Sequence, residues 1–220
     1  MEIIEAVLPA LFRGAKITVQ VTLQAGILAL IVSVVVGVLR DASSSFIRIP
    51  IGVYVEFFRG TSAFVQIYWV YFALPLLGIQ LSAIAAGTVV LGLNVGAYGS
   101  EVVRGALRAV AQGQREACIA LNLSKWTALT RILLPQAMLR VIVPWSNLLI
   151  DLLKGTSLLS AITVTELAFA GRQSVSALGN PLLIFGVVLL MYLILAAPIA
   201  WASKFLDERL RRGLSVGRQS

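Results

Sequence analysis

The chain contains no histidine and one cysteine, Cys118, among 220 residues. A single cysteine cannot form an internal disulfide. Without histidine, imidazole acid–base chemistry and Cys/His metal sites are excluded, and no metal is expected. Charge is scarce too. Only 13% of residues are charged, against about 25% in an average soluble domain. The 10 acidic residues are scattered and supply no acid/base or metal constellation of the kind a membrane enzyme such as a lipid phosphatase needs. The phosphate-binding loop G-x-x-x-x-G-K-[ST] is also missing. Lys154-Gly155-Thr156 inverts its order, with no glycine at the required distance before it.

What is plentiful is apolar surface: 59% of residues are hydrophobic and the mean hydropathy is +0.92. A soluble fold of this length cannot hide so much, whereas hydrocarbon accepts it. The length leaves room for one membrane domain and no ordinary soluble domain beside it. A net charge of +8 and a pI near 10.3 would suggest nucleic acid in a soluble protein. Here the basic residues lie between apolar runs, as in the cytoplasmic loops of membrane proteins, so no nucleic-acid partner is expected.

Five apolar segments stand out, at about 17–39, 58–79, 83–103, 141–161 and 182–204. Each approaches the roughly 20 residues a helix needs to cross the hydrocarbon. Gly26, Gly92, Gly96, Pro144 and Pro198 fall inside them, which membrane helices tolerate. None alternates like a barrel strand. The predicted fold is therefore an all-α integral membrane protein with five crossings. The first segment exceeds the roughly 7–15 residue core of a signal peptide and reads as a retained helix. Before it, Ile3, Ile4, Val7, Leu8, Leu11 and Phe12 recur at helical spacing, which predicts a separate surface helix over 1–16.

Five crossings place the termini on opposite sides. One set of flanks holds 14 Lys and Arg residues, including Arg40, Arg59, Arg104, Arg115, Arg140, Arg209 and Arg218; the other holds 4, namely Arg13, Lys16, Lys154 and Arg172. The richer set is expected to be cytoplasmic. That predicts an extracytoplasmic N-terminal segment over 1–16, a transmembrane domain over 17–206 and a cytoplasmic tail over 207–220. The long cytoplasmic connection, 104–140, carries a helical pattern over 114–121, then Asn122, then a second over 124–134 before Pro135. A basic, structured connection of this length suggests docking to a partner.

Within it, Glu116-Ala117-Cys118, three residues, Asn122, nine residues and Ile132-Leu133-Leu134-Pro135 resemble the EAA loop, E-A-A-x3-G-x9-I-x-L-P, of binding-protein-dependent ABC importers. The spacing is kept over 113–135, with Cys118 in place of the second alanine and Asn122 in place of glycine. Cysteine is small and nearly apolar. Asparagine is the next best residue after glycine where a helix ends on a left-handed backbone. Tyr54 to Thr61, Gly96-Ala97-Tyr98 with Glu101 and Arg104-Gly105-Ala106, Leu134-Pro135-Gln136-Ala137 and Lys154-Gly155-Thr156-Ser157-Leu158 resemble the polar amino acid branch of the same type I permeases. Gly155 departs from that pattern, where an acidic or amide residue is commoner. The Ala120-Leu121-Asn122-Leu123 run is similar to permeases for ectoine and hydroxyectoine.

The resemblance implies a permease subunit of an importer in the inner membrane, carrying polar amino acids or related zwitterions. It implies a second permease, identical or homologous, two ATP-binding subunits and an extracytoplasmic solute-binding protein. ATP and Mg would bind the partner ATPase, with no cofactor on this chain. The loop would form a coupling helix seated on the ATPase, with Gly113, Gln114, Glu116, Ala117, Ala120, Leu121 and Asn122 as contact candidates. The alternative, an ion-gradient-driven secondary transporter, often shows inverted repeats, and no internal duplication is visible.

Ionisable residues inside crossings are functional suspects. Asp151 lies about ten residues into the fourth segment, roughly 15 Å deep. Lys154 shares its face three residues on. The pair could hold a zwitterion's two charges or only neutralise itself. Asn147 extends the face. On the third segment, Asn94 and Tyr98 are candidates for the substrate path, and Glu101 for the path or for an interfacial pair with Arg104. Glu166 is expected in an outer connection, facing the binding protein or solvent. Tyr68, Trp69 and Tyr71 are expected as core or interface aromatics.

Overall fold

The computed structural model describes residues 2–42 and 44–215, and among them every regular element is helical. Arg218 and the end of the tail, 216–220, lie outside the described residues. Helix α1 runs from Glu2 to Ala42, α2 from Ser45 to Gly60, α3 from Ala63 to Tyr68 and α4 from Ala83 to Arg108. They are followed by α5 (Gln112–Ala120), α6 (Lys125–Thr127), α7 (Leu134–Gly155), α8 (Leu167–Leu178) and α9 (Pro181–Ser215). Among the described residues four helical runs are long and apolar enough to cross a membrane, and one bent pair, taken as a single span, brings the count to five.

The first correction concerns the N-terminus. No break separates 1–16 from the crossing at 17–39; α1 is one helix of 41 residues, about 60 Å long at 1.5 Å per residue. Its continuity follows from one buried stripe. Val7, Leu11, Ala15, Thr18, Thr22, Ala25, Ala29 and Ser33 are all buried and recur every three or four residues, straight through the expected boundary. Arg13 and Lys16 interrupt the composition there but not the buried face.

The second correction concerns the segment 58–79. Phe58 to Gly60 instead finish α2, and the chain turns by 103° into the run Ala63–Leu77. Thr61 and Ser62 adopt extended backbone angles, which ends one helix and starts the next. α2 and the run Ala63–Leu77 are long and apolar enough for a crossing only when taken together as one broken span. Along α2, Phe46, Ile49, Val53 and Phe57 form an exposed apolar stripe, while Val55 is buried. After α3 the helix widens into a π turn over Trp69–Ala73, tightens over Leu74–Leu77 and stops at Gly78, whose φ of 85° is left-handed.

The other ends extend beyond the apolar segments. α4 continues five residues past 103, and α9 begins at Pro181 and runs past 204 to Ser215. The fourth crossing is part of one run, Lys125–Ile162, which begins within the connection 104–140. A π turn over Ala128–Leu133 precedes Pro135, which has no N–H to donate to the ladder; the wider turn absorbs that mismatch.

Packing centres on α1 against α4. Gly92 and Gly96 of α4 meet Leu28 and Val32, and a Cβ on Gly96 would lie 2.7 Å from the Val32 Cγ1. Ser33 Oγ donates to the Ala29 carbonyl at 2.6 Å and contacts the Gly96 carbonyl at 3.2 Å. Small residues let two backbones approach this closely, as membrane helices require when lipid offers no hydrophobic drive. Three apolar clusters follow each other along the bundle: Val7, Leu11, Leu167 and Ile184; then Val21, Ile67, Val90 and Leu152; then Val103, Leu107, Leu133 and Val141.

Candidate coupling surface and translocation face

α5 is a nine-residue helix held at both ends. At its C-terminal end the Asn122 N–H donates to the Ile119 carbonyl at 2.9 Å and the Leu123 N–H to the Cys118 carbonyl at 3.0 Å. Asn122 has φ of +50°, so the pair of bonds makes a Schellman cap on the left-handed residue the motif spacing requires. At the other end, Arg115 Nη2 donates to the Leu107 carbonyl of α4 at 2.8 Å. Gln136 Nε2 of α7 donates to Gln114 Oε1 at 3.3 Å, and Gln112 Nε2 to Glu116 Oε1 at 2.9 Å. Arg140 of α7 caps the end of α4 at the Ala109 carbonyl, 2.5 Å away.

All seven coupling candidates, Gly113, Gln114, Glu116, Ala117, Ala120, Leu121 and Asn122, are exposed, and Cys118 alone of α5 is buried. Ile119 and Trp126 are exposed as well, at 77% and 69%. The motif does not single these two out. The signal available was geometric: on a short helix with Cys118 turned inward, the next residue is about 100° around and must face out. The exposed side therefore mixes apolar anchors (Ile119, Leu121, Trp126) with amides and Glu116.

On α7, Asn147, Asp151 and Lys154 share one exposed face. Asp151 Oδ1 and Lys154 Nζ are 3.8 Å apart, with side chains 71% and 63% exposed. Within the run Lys125–Ile162 the pair sits toward the Ile162 end. A cavity of about 570 Å³ adjoins it, lined by Lys154, Ser157, Tyr192 and aliphatic residues of α9.

The three candidates on α4 have other engagements. Asn94 Nδ2 donates to the Phe58 carbonyl at 2.9 Å and to Gln66 Oε1 at 3.2 Å. Tyr98 donates to the Arg59 carbonyl at 3.3 Å, and the Arg59 guanidinium stacks over its ring. Both side chains thus satisfy carbonyls orphaned at the C-terminal end of α2. Gln66, which the sequence did not single out, joins them through Thr61 Oγ1 at 2.6 Å. Glu101 pairs with Arg104 of its own helix and with Arg40 of α1. Of the aromatic trio, Tyr71 packs on the core and Trp69 is exposed along the crossing.

Glu166 is neither a solvent-facing nor an outward-docking residue. It is fully buried. It caps α8, accepting from the Ala168 and Phe169 N–H groups at 2.9 and 2.7 Å and from the Tyr192 hydroxyl at 2.8 Å. Burial pushes its carboxyl above the usual range, and the Ala168 amide, Tyr192, the Phe169 amide and Arg172 pull it back. Its position just before an apolar helix was the cue: an acidic N-cap.

Residues 29–212 match a family described as the binding-protein-dependent transport system inner membrane component. A probable amino-acid ABC transporter permease, y4tF of Sinorhizobium fredii, is 39% identical over 91% of this chain and 87% of its own length. The glutamine transport system permease GlnP of Escherichia coli is 31% identical over 93% of this chain and 94% of its own. The L-cystine permease TcyB of Bacillus subtilis is 32% identical over 93% and 88%. The fold superposes on a crystal structure of an amino acid ABC transporter with histidines at a TM-score of 0.84, with 23% identity over 91% of this chain and 94% of that one. On the inward-facing MetNI methionine transporter the score is 0.82, with 21% identity over 93% and 98%. Taken with the five crossings and the EAA spacing, these matches make the chain a multi-pass membrane protein that belongs to the family of inner-membrane permease components of binding-protein-dependent ABC importers.

Proposed function

We propose that the chain is one half of the pathway by which polar amino acids or related zwitterions enter the cell, driven by ATP hydrolysed on a separate subunit. The observation that carries the reading is α5: a short helix, capped at its C-terminal end and tied to α4 through Arg115, presenting Ile119, Leu121 and Glu116 outward from the connection between two crossings. Such a helix transmits rigid displacement that a loose loop would absorb. Two ATP-binding subunits, which hold the ATP and Mg, take α5 and its counterpart on a second permease, and an extracytoplasmic binding protein delivers solute. The Lys and Arg asymmetry supports a cytoplasmic α5 and C-terminus and an extracytoplasmic N-terminus.

The second permease, identical or homologous, covers the exposed Asn147–Asp151–Lys154 face. Charged side chains at membrane depth are costly against lipid and are tolerated along a polar path between subunits. That face, with Asp151 for a cationic nitrogen and Lys154 for a carboxylate, is the proposed solute contact. Amino acids fit the relatives that transport glutamine and cystine. Ectoine is the narrower variant of the same reading, supported only by the run at 120–123.

The test is uptake of labelled solute into proteoliposomes holding permease, ATPase and binding protein. Uptake should require hydrolysable ATP, and Asp151→Asn should change its solute dependence. Uptake driven by an ion gradient without ATP would overturn the reading in favour of a secondary transporter.

A further inference from the structure

We infer that Asp41, in the last turn of α1, is a positioning residue that clamps α5 to the bundle, so that displacement of α5 enters α1 together with α4. The inference rests on the docking role proposed for α5.

The Asp41 carboxylate lies between two guanidinium groups that belong to different elements. Its Oδ1 is 3.4 Å from Arg108 Nε at the end of α4, and its Oδ2 is 3.7 Å from Arg115 Nη2 on α5. Its side chain is 14% exposed, whereas Arg108 and Arg115 are 62% and 38% exposed, so water screens the Arg115 contact less than the Arg108 contact. Arg115 uses the same Nη2 to hold the Leu107 carbonyl of α4. One side chain of α5 therefore grips the ends of both α1 and α4.

The neighbouring residue completes the junction. Arg40 pairs with Glu101 of α4 and approaches Glu56 of α2 at 4.0 Å. Adjacent residues of one helical turn thus take partners of opposite sign, and α1 is fixed against α2, α4 and α5 at once. Arg115 immediately precedes Glu116, so the clamp and the outward face sit on the same rigid helix. Without Asp41, Arg108 and Arg115 would be left facing each other beside α1 with no anion between them. Like charges at that separation push α5 away from the seam that α1 forms with α4. The helix would then keep its ATPase contacts and lose part of its lever.

Solute taken up per ATP hydrolysed is measured in proteoliposomes of the whole complex, with ATPase retained on the purified permease as a separate readout. Asp41→Asn is expected to lower the ratio about fivefold or more while the ATPase stays bound. Asp41→Glu is expected to recover most of it. The double variant Asp41→Asn/Arg115→Gln should lose less than the product of the two single losses, because the Asp41–Arg115 contact is shared while the Arg108 and Leu107 contacts are lost separately. Arg115→Gln alone carries the test where Asp41→Asn does not accumulate. A ratio unchanged in Asp41→Asn and Arg115→Gln, or losses that multiply in the double variant, would overturn the clamp while leaving docking intact. Ile119→Asp isolates the docking reading: it is expected to release the ATPase, and full retention would overturn docking and the clamp with it.

Discussion

The Asn94 amide reaches across from α4 to hold the Phe58 carbonyl at 2.9 Å, closing the end of α2 just before the chain turns by 103°. Phe58 lies in the last turn of α2, where carbonyls lack helical partners. Asn94→Ala removes the donor to Gln66 Oε1 in a mostly buried place and leaves the Phe58 carbonyl only Gln66 Nε2, at 3.2 Å. We expect a loss of about 1–3 kcal/mol, read as a lower thermal midpoint of the purified permease, the cost of an unsatisfied buried group. Asn94→Ala with an unchanged midpoint would show that the bend is held elsewhere.

The α1–α4 seam gives a second prediction. Gly96→Leu drives a side chain into Val32, where a bare Cβ already falls at 2.7 Å. Over-packing of this kind costs about 1–3 kcal/mol or more. Gly105→Ala on the same helix, where nothing lies within 4 Å, should be neutral and serves as the control. Equal behaviour of the two variants in thermal unfolding would contradict the seam.

At the coupling helix the two sides of the cap separate stability from coupling. Asn122 holds a left-handed backbone, so Asn122→Val should cost about 1–2 kcal/mol, and Asn122→Gly should be tolerated. Glu116→Lys alters only the exposed face and should leave folding alone while uncoupling hydrolysis from uptake. Wild-type transport by Glu116→Lys would remove the coupling assignment for that residue.

Glu166 predicts a pH dependence. Its folded-state pKa lies above the ordinary value of 4.5 because burial disfavours the charged form. Its contribution to stability is therefore fully present below that ordinary value and declines as pH rises through the folded one. Glu166→Gln should flatten this part of the profile of midpoint against pH. Parallel profiles for the two proteins would mean that the buried carboxyl does not titrate differently on folding.

Much of this was legible in the sequence, for reasons that also explain what was not. The crossings announce themselves because lipid demands long apolar runs, and the EAA helix because its spacing fixes a cap: Asn122 occurs where a left-handed residue must. The bend at Thr61 and Ser62 left a fainter trace. Arg59-Gly60-Thr61-Ser62 interrupts the apolar run, but a membrane crossing tolerates such a break, and the bonds that hold the turn come from Asn94 and Gln66, the first distant in the chain. The carbonyl contacts of Asn94 and Tyr98 were not legible, because a polar stripe on a crossing has the same sequence with or without a neighbour's carbonyl beside it. Glu166 looked exposed because an isolated acid in a connection usually is; its burial depends on Tyr192 of α9.

The glycine contacts between α1 and α4 also bear on how such a permease can diversify. Where two helices meet through a glycine, that position has no side chain left to trim, and any enlargement meets the neighbour packed against it, such as Leu28 or Val32. Substitution is thereby steered away from that pair and onto the exposed faces of α7 and α9, where Val143, Asp151, Leu189 and Leu193 are not packed within the chain.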